Sequence, residues 1–139
     1  MSYEVLSHTA DAKFSATGDS LEAAFSEATK AFAEIVGSDP KAGEIRHSFR
    51  IESENTEALL FDFLDKLVYI QDTEDVAATH LKSIEIEETE KGYRLDATVW
   101  TDPIEPSMSL LDIKAPTYNE MKVDYEKGEG WKLEAVLDI

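Results

Sequence analysis

Two short stretches, one near each end of the sequence, combine residue types that can bind a cation. Leu6–Asp11 places a histidine and an aspartate among small polar residues, between two segments of strand character. Asp138–Ile139 follows an apolar strand pattern, which would hold the Asp138 side chain next to a terminal carboxylate. Calcium, magnesium and manganese prefer carboxylate oxygens as ligands. The sequence therefore predicts a hard-cation site at Asp138 and Ile139. Asp11 adds a third carboxylate if the first loop lies at the same end of the sheet.

Each stretch also has an ordinary interpretation. Leu6–Asp11 can be a strand connection in which Asp11 forms a turn, and Asp138 can be an exposed residue at the end of a strand. Carboxylates held in one small volume repel each other unless a cation or protons relieve them. On the residues alone, the cation site and the ordinary interpretation both remain open.

Two segments have the periodicity of helices that must position these stretches. The first helix is predicted over Ser20–Val36, with Gly37 as its stop. The second is predicted over Thr56–Gln71, with Asn55 or Thr56 as its cap. Because the apolar face of the second helix is broader, we expect it to be the more deeply buried of the two.

Alternating apolar and polar residues predict strands in the rest of the chain. The predicted strands are Tyr3–Leu6, Ala12–Thr17, His47–Ser53, Leu81–Glu88, Tyr93–Thr101, Asp112–Thr117, Met121–Tyr125 and Trp131–Leu137. The predicted turns between neighbouring strands are Lys91–Gly92, Asn119–Glu120 and Lys127–Gly130. The pattern predicts the α+β class, with two helices packed on a mostly antiparallel β-sheet in a single compact domain over residues 1–139.

The composition limits the kinds of site and partner that the protein can have. The 139 residues include 30 acidic and 13 basic side chains, a net charge of −17, and no cysteine. Disulfides, thiolate metal sites and cysteine nucleophiles are therefore excluded. No secretory signal or membrane span is recognisable, so the cytoplasm is the expected location. An acidic surface repels phosphate backbones and favours cations and basic partners, although solubility alone would explain the charge equally well.

Several common catalytic patterns are absent from the sequence. Gly128–Gly130 lies in a predicted hairpin turn and lacks the third glycine of a dinucleotide-binding loop. No nucleophile elbow or zinc-binding helix is present. Asp72–Asp75 lacks the glycine and terminal glutamate of a calcium loop, and we interpret it as the solvated end of the second helix. We therefore predict no catalytic residue.

An ordered set of motifs along the chain resembles the archease family. The motifs are Ser7–Asp11, Gly18–Phe25, Glu57–Leu67, Ile113–Tyr118 and Leu137–Ile139. Ser7, Pro116 and Asn119 stand where the family commonly has aspartate, an aliphatic residue and histidine. The Pro116 ring removes a backbone donor, which indicates an edge strand or a bulge. The family's fold is implied to be a compact α+β domain with helices against an antiparallel sheet.

The resemblance also implies a function and a site. The family assists the tRNA-splicing ligase by promoting its guanylylation and repeated turnover, without catalysing phosphoryl transfer itself. Its essential residues correspond to Asp11 and Asp138. A divalent cation, calcium in crystals or else magnesium or manganese, is implied between them, with the Ile139 carboxylate as a further ligand. Candidate supporting or partner-contact residues are His8, Lys114 and Tyr118.

Three functional readings follow. In the first, the protein is a metal-binding activator whose partner is the tRNA-splicing ligase, with RNA met only indirectly through that ligase and no membrane contact. In the second, it is a chaperone or modulator of tRNA-modifying enzymes such as a tRNA methyltransferase. The third, a small metal-dependent hydrolase, is disfavoured because no separate base or nucleophile accompanies the carboxylates.

Overall fold

The strands form two antiparallel sheets instead of the one sheet predicted. The computed structural model describes residues 1–6, 11–105 and 108–139. Its elements are β1 (Ser2–Leu6), β2 (Asp11–Gly18), α1 (Leu21–Val36), β3 (Ile45–Ser53), α2 (Thr56–Glu74), β4 (Val76–Thr89), β5 (Gly92–Pro103), β6 (Ala115–Glu126) and β7 (Gly130–Asp138). Sheet A has the order β1-β2-β7-β6, and sheet B has the order β3-β5-β4. Every pairing within them is antiparallel.

Both predicted helices are confirmed, and local side chains set their ends. The Ser20 hydroxyl accepts a hydrogen bond from the backbone N–H of Ala23 at 3.0 Å, which caps α1. Gly37 ends that helix with a left-handed φ of 100°. The Asn55 side chain caps α2, which continues past the predicted end at Gln71 to Glu74.

The core lies between the sheets and is shared by both helices. α1 packs against β2 and β4, and α2 packs against β6 and β3, so each helix contacts both sheets. The rings of Phe25 and Phe63 meet edge to face at 5.3 Å and join the helices. The expectation that α2 is the more buried helix is wrong, because α1 buries nine of its 16 residues and α2 seven of its 19.

The two long hairpins pack against the starts of the helices through glycine. A Cβ on Gly130, in the β6–β7 turn, would lie 2.5 Å from the carbonyl oxygen of Gly18. A Cβ on Gly92, in the β4–β5 turn, would lie 2.2 Å from the carbonyl oxygen of Ser53. Both turns need glycine because the backbone of another segment occupies the space of a side chain.

Two strand predictions need correction. β4 starts at Val76 and not at Leu81, because Val76–Thr79 is buried throughout and shows no alternation. The strands predicted at Asp112–Thr117 and Met121–Tyr125 are one strand, β6, and the turn predicted at Asn119–Glu120 is a bulge within it.

A local hydrogen bond supports this bulge. The pairing with β7 jumps from Thr117 to Lys122, and Glu120 has a φ of 59°. The Thr117 hydroxyl accepts a hydrogen bond from the Asn119 N–H at 2.9 Å, which supports the bulged backbone. β6 is an edge strand of sheet A, as the proline at position 116 indicated.

The first predicted functional loop lies largely outside the described residues. Residues 7–10, which include His8, are not among them, and neither are residues 106–107. Among the helices of the described residues, none is both long enough and apolar enough to cross a membrane.

Candidate functional site

Asp11 and Asp138 lie directly opposite each other in sheet A. Asp11 begins β2, Asp138 ends β7, and the two are partners in the antiparallel register. Side chains alternate along a strand, and the neighbours Ala12 and Leu137 belong to the core side. Both aspartates therefore point to the outer face, away from the helices. Like charges directly opposite each other destabilise a sheet, and a cation bound between them would relieve that repulsion.

The end of β7 is tied to the start of β6. The carbonyl oxygen of Asp138 accepts a hydrogen bond from the backbone N–H of Lys114 at 2.9 Å. This bond joins the backbone of the exposed Lys114 to that of Asp138, and a supporting role of its side chain stays a prediction. Ile139 follows at the surface with 36% of its area exposed. Asp138 is also exposed, whereas Asp11 is half-buried, so the pair is accessible mainly from the Asp138 side.

A salt bridge that the sequence analysis missed lies next to the aspartates. Lys13, the next outward residue on β2, contacts Glu120 in the β6 bulge at 3.3 Å. The two strands flank β7, and the bridge passes over it at the level of Val136, which is fully buried although its position faces outward. Glu120 thus holds the Lys13 ammonium group over β7, one outward position along β2 from Asp11.

Tyr118 lies in the same bulge but faces α2. Its ring stacks on Phe61 at 4.2 Å with an interplanar angle of 4°, and 56% of its area stays exposed. Partial burial raises the pKa of the Tyr118 hydroxyl above its usual value, and the negative charges of Asp62 and Glu54 raise it further. The phenol is therefore neutral at physiological pH and presents an exposed aromatic surface at the edge of sheet A.

The fit to a divalent cation is partial. Within residues 1–6, 11–105 and 108–139, no three His, Asp or Glu side chains converge on a common metal position. The Asp11–Asp138 pair supplies two oxygen donors of the right chemical type on one face. Calcium takes about six to eight oxygens. This pair and the Ile139 carboxylate would leave the remaining positions to water or to groups of a partner.

A groove on sheet A lies away from the aspartate pair. A groove of about 430 Å³ on sheet A, lined by Thr17, Glu126, Trp131 and neighbouring residues, lies at the hairpin end of β7, opposite to Asp138. Hydrogen bonding to Glu129 and repulsion from its charge raise the pKa of Glu126 in that groove. The aspartate pair instead lies on a surface that a macromolecule can approach.

Fold and site together define a small α+β protein with an exposed carboxylate pair at one end of an open sheet. A family model described as the Archease protein family matches residues 3–139, and the chain belongs to that family. Among curated relatives, Protein archease of Methanosarcina mazei is 34% identical, covering 99% of this chain and 95% of its own length. Protein archease of Pyrococcus abyssi is 33% identical, covering 99% and 98%.

Solved structures agree with the fold. The solution structure of Methanobacterium thermoautotrophicum protein 1598 matches with a TM-score of 0.84 and 30% identity, covering 99% of this chain and 98% of that one. A Thermotoga maritima crystal structure, described as an archease and possible chaperone, matches with a TM-score of 0.64. At 22% identity over 96% of this chain and 94% of that one, the Thermotoga match supports the fold alone.

Proposed function

We propose that this protein is an accessory protein of a tRNA-splicing ligase, which it activates by promoting guanylylation of the ligase and its repeated turnover. The observation that carries the proposal is the direct opposition of Asp11 and Asp138 on the exposed face of sheet A, in a chain of the archease family. The protein has no catalytic residue of its own in this role. It supplies a charged surface to the enzyme that carries out the chemistry.

Asp11, Asp138 and the terminal carboxylate of Ile139 would hold the cation. Calcium, magnesium and manganese all suit this oxygen donor set. A bound divalent cation supplies a Lewis acid that can neutralise phosphate oxygens. The Lys114 N–H bond to the Asp138 carbonyl oxygen ties the end of β7 to the start of β6, and the Lys13–Glu120 bridge links β2 to β6 next to the pair.

The charge of the chain supports a basic partner. A net charge of −17 favours encounter with a positively charged cleft, which a ligase that binds RNA ends and a nucleotide must contain. Lys114 and the exposed ring of Tyr118 lie on β6 or immediately before it, near one end of sheet A. They are candidate contacts at the rim of such a docking surface.

The proposal is tested by guanylylation and multiple-turnover ligation with the cognate ligase. Wild type is compared with Asp11→Ala and Asp138→Ala, and with Asp124→Ala as the matched control. Asp124 lies on the same outer face but opposite Lys132, several residues from the pair. We expect stimulation by wild type and the control, and loss of stimulation in both pair variants, each verified as folded by circular dichroism. Full stimulation by either pair variant would reject the role of the carboxylates.

A second candidate function is a chaperone or modulator of an RNA-modifying enzyme such as a tRNA methyltransferase. The net charge of −17 suits this role as well as the first, because an acidic surface favours encounter with basic enzymes that bind RNA. This role needs the acidic surface but not the aspartate pair. If folded wild type fails to stimulate the ligase with calcium, magnesium or manganese, but protects a methyltransferase from aggregation in an Asp11-independent way, this second function replaces the first.

A further inference from the structure

The arginines of this acidic protein are concentrated on one surface. The chain has three, Arg46, Arg50 and Arg94, and all of them lie on the outer face of sheet B. The strand register aligns them with Trp100, Asp96 and Glu52 on the neighbouring strands. With Lys82 they bring four cations to a face that also holds five carboxylates, those of Glu52, Glu85, Glu87, Asp96 and Asp102. In a molecule of net charge −17, this face is close to neutral.

One end of this face is cationic and aromatic. The guanidinium carbon of Arg46 lies 5.9 Å from the Trp100 ring centroid, and the Lys82 ammonium nitrogen lies 5.8 Å from it. Both distances are those of cation–π contacts. His80 is the register partner of Trp100 on β4. We call Trp100, Arg46, Lys82 and His80 the Trp100 patch.

A bulge brings Lys82 into the patch. The β4–β5 register jumps between Leu81 and Ser83, which leaves Lys82 as an extra residue on β4. Such bulges re-aim a side chain. A second jump, between Ala78 and His80, brackets the same segment. β4 therefore departs from regular pairing beside Trp100, on both sides of His80.

The position of Trp100 is fixed by close packing. A Cβ on Gly43 would lie 2.6 Å from the Trp100 Cβ, so the loop before β3 lies directly against this residue. The Thr79 hydroxyl donates a hydrogen bond to the Trp100 carbonyl oxygen at 3.0 Å. The backbone and the Cβ of Trp100 are thus fixed by these contacts, while the two cations lie near the indole ring.

Arg46 and Lys82 differ from Arg50 and Arg94 in whether they form an ion pair. Arg50 pairs with Asp96 at 2.8 Å, and Arg94 pairs with Glu87. In the described part of the chain, neither Arg46 nor Lys82 has a carboxylate within ion-pair distance. Both side chains are exposed. Two cations thus remain available to an external anion.

We propose that the Trp100 patch binds a segment of single-stranded RNA. An aromatic face combined with flanking cations is the arrangement by which proteins bind single strands, with a base stacked on the ring and phosphates on the cations. Arg46 and Lys82 have flexible side chains, so each can move from the ring to a phosphate when a base takes its place. An acidic peptide would use the cations but leave the indole unused, and for this reason RNA is the occupant.

The expectation that RNA is met only through a partner rested on the net charge. At about 0.1 M salt the Debye length is about 10 Å, so a strand on the patch feels mainly the charges of this face. The inference goes beyond the ligase proposal, because Asp11 and Asp138 lie on sheet A and take no part in it.

Tryptophan fluorescence tests the proposal with the protein alone. The chain has two tryptophans, so Trp131→Phe leaves Trp100 as the reporter and Trp100→Phe leaves Trp131. A short oligouridylate is titrated at several salt concentrations, beside polyglutamate of equal charge. Arg46→Gln with Lys82→Gln removes the cations. Lys66→Gln with Lys122→Gln is the matched control, because it removes the same charge, including a cation that lies 4.8 Å from the Tyr69 ring centroid on α2.

We expect oligouridylate to quench Trp100 saturably, polyglutamate to leave it unchanged, and Trp131 to respond to neither. The Arg46/Lys82 variant should bind at least about tenfold more weakly. Its plot of log affinity against log salt should be shallower by about 1.4, for two single-strand phosphate contacts. The proposal is overturned if RNA leaves Trp100 unquenched, if polyglutamate quenches it equally, or if the control variant loses as much affinity.

Discussion

Among single residues, the register between β2 and β7 decides what the aspartates can do. A slip of one position would turn Asp11 toward the core and separate it from Asp138, since neighbouring side chains point to opposite faces. The buried Phe14 and Leu137 prevent that slip, because it would expose both. Core side chains therefore fix the position of the charged pair at the surface.

Asp138→Asn should change stability in opposite directions without and with a cation. With divalent cations removed by a chelator, loss of the repulsion from Asp11 should raise the free energy of unfolding by about 0.2–1 kcal/mol. In calcium at about 100 times its Kd, wild type should gain about 2.7 kcal/mol. The variant should gain much less. Urea unfolding with and without calcium measures both effects.

Asp124→Asn is the control for this measurement. Asp124 lies opposite Lys132, so its neutralisation removes an attraction and should not raise stability in the chelator. Its calcium gain should equal that of wild type. A calcium gain in Asp138→Asn as large as in wild type would contradict cation binding at the pair.

Residue types alone brought out only part of this site. Residue chemistry predicts a carboxylate site at Asp138 and Ile139, with Asp11 as a third ligand if the first loop lies at the same end of the sheet. The motif resemblance then implies Asp11 and Asp138 as the essential residues. The Lys13–Glu120 bridge joins residues 107 apart in sequence across a bulge, which periodicity cannot reveal. Trp100 occupies one of the polar positions in the alternating pattern of its strand, and this pattern predicts an outward-facing ring.

At the level of elements, the irregular strands were the hardest to predict. α1 and α2 have caps and periodic apolar faces, and both were found from them. β6 was divided into two strands because Asn119–Glu120 has turn composition. The bulge is stabilised by the Lys13 contact from another strand, a tertiary interaction outside any local window.

Gly130→Ala and Gly128→Ala form a matched pair of substitutions in the β6–β7 turn. Both residues have positive φ, 83° and 90°. A Cβ at Gly128 meets nothing within 4 Å, whereas at Gly130 it meets the Gly18 carbonyl at 2.5 Å. Gly128→Ala should cost about 1–2 kcal/mol for the left-handed backbone.

Gly130→Ala should cost about 1–3 kcal/mol more than Gly128→Ala, because the hairpin must move away from the start of α1. Thermal and urea unfolding measure the difference. Equal costs for the two substitutions would show that the turn does not bear on the strand–helix junction.

For the whole molecule, excess negative charge works against folding. Thirty acidic and 13 basic residues share one domain, and self-repulsion destabilises a compact state of high net charge. The described ion pairs, such as Arg50–Asp96 and Lys132–Glu134, are largely exposed, and pairs of this kind contribute little each.

Monovalent salt should therefore stabilise the protein. Raising NaCl from about 0.01 M to about 0.1 M shortens the Debye length from about 30 Å to about 10 Å. A gain of about 1 kcal/mol would raise the Tm by about 4 °C. Differential scanning calorimetry in a chelator measures it, and choline chloride should act equally. An unchanged or lower Tm would show that repulsion is already balanced by local pairing.

The turn glycines described above mark a symmetry in the chain. Gly130 packs against the backbone just before α1, and Gly92 packs against the backbone just before α2. In each sheet the strand that leads into a helix pairs with the second strand of a hairpin, in the orders β2-β7-β6 and β3-β5-β4. Each helix also packs against the first hairpin strand of the opposite sheet. The fold is thus one β-α-β-β unit inserted into another unit of the same topology.

In the strand pairing of these two units, the aspartate pair and the Trp100 patch fall at corresponding places. Asp11 and Arg46 each lie near the start of a strand that leads into a helix. Their partners, Asp138 and Trp100, each lie near the end of the second strand of a hairpin. The strand pairing is equivalent at the two places, whereas the charge differs in sign. One place holds two carboxylates and the other two cations beside an indole, so a charged partner would distinguish the two units by charge even though their topology is the same.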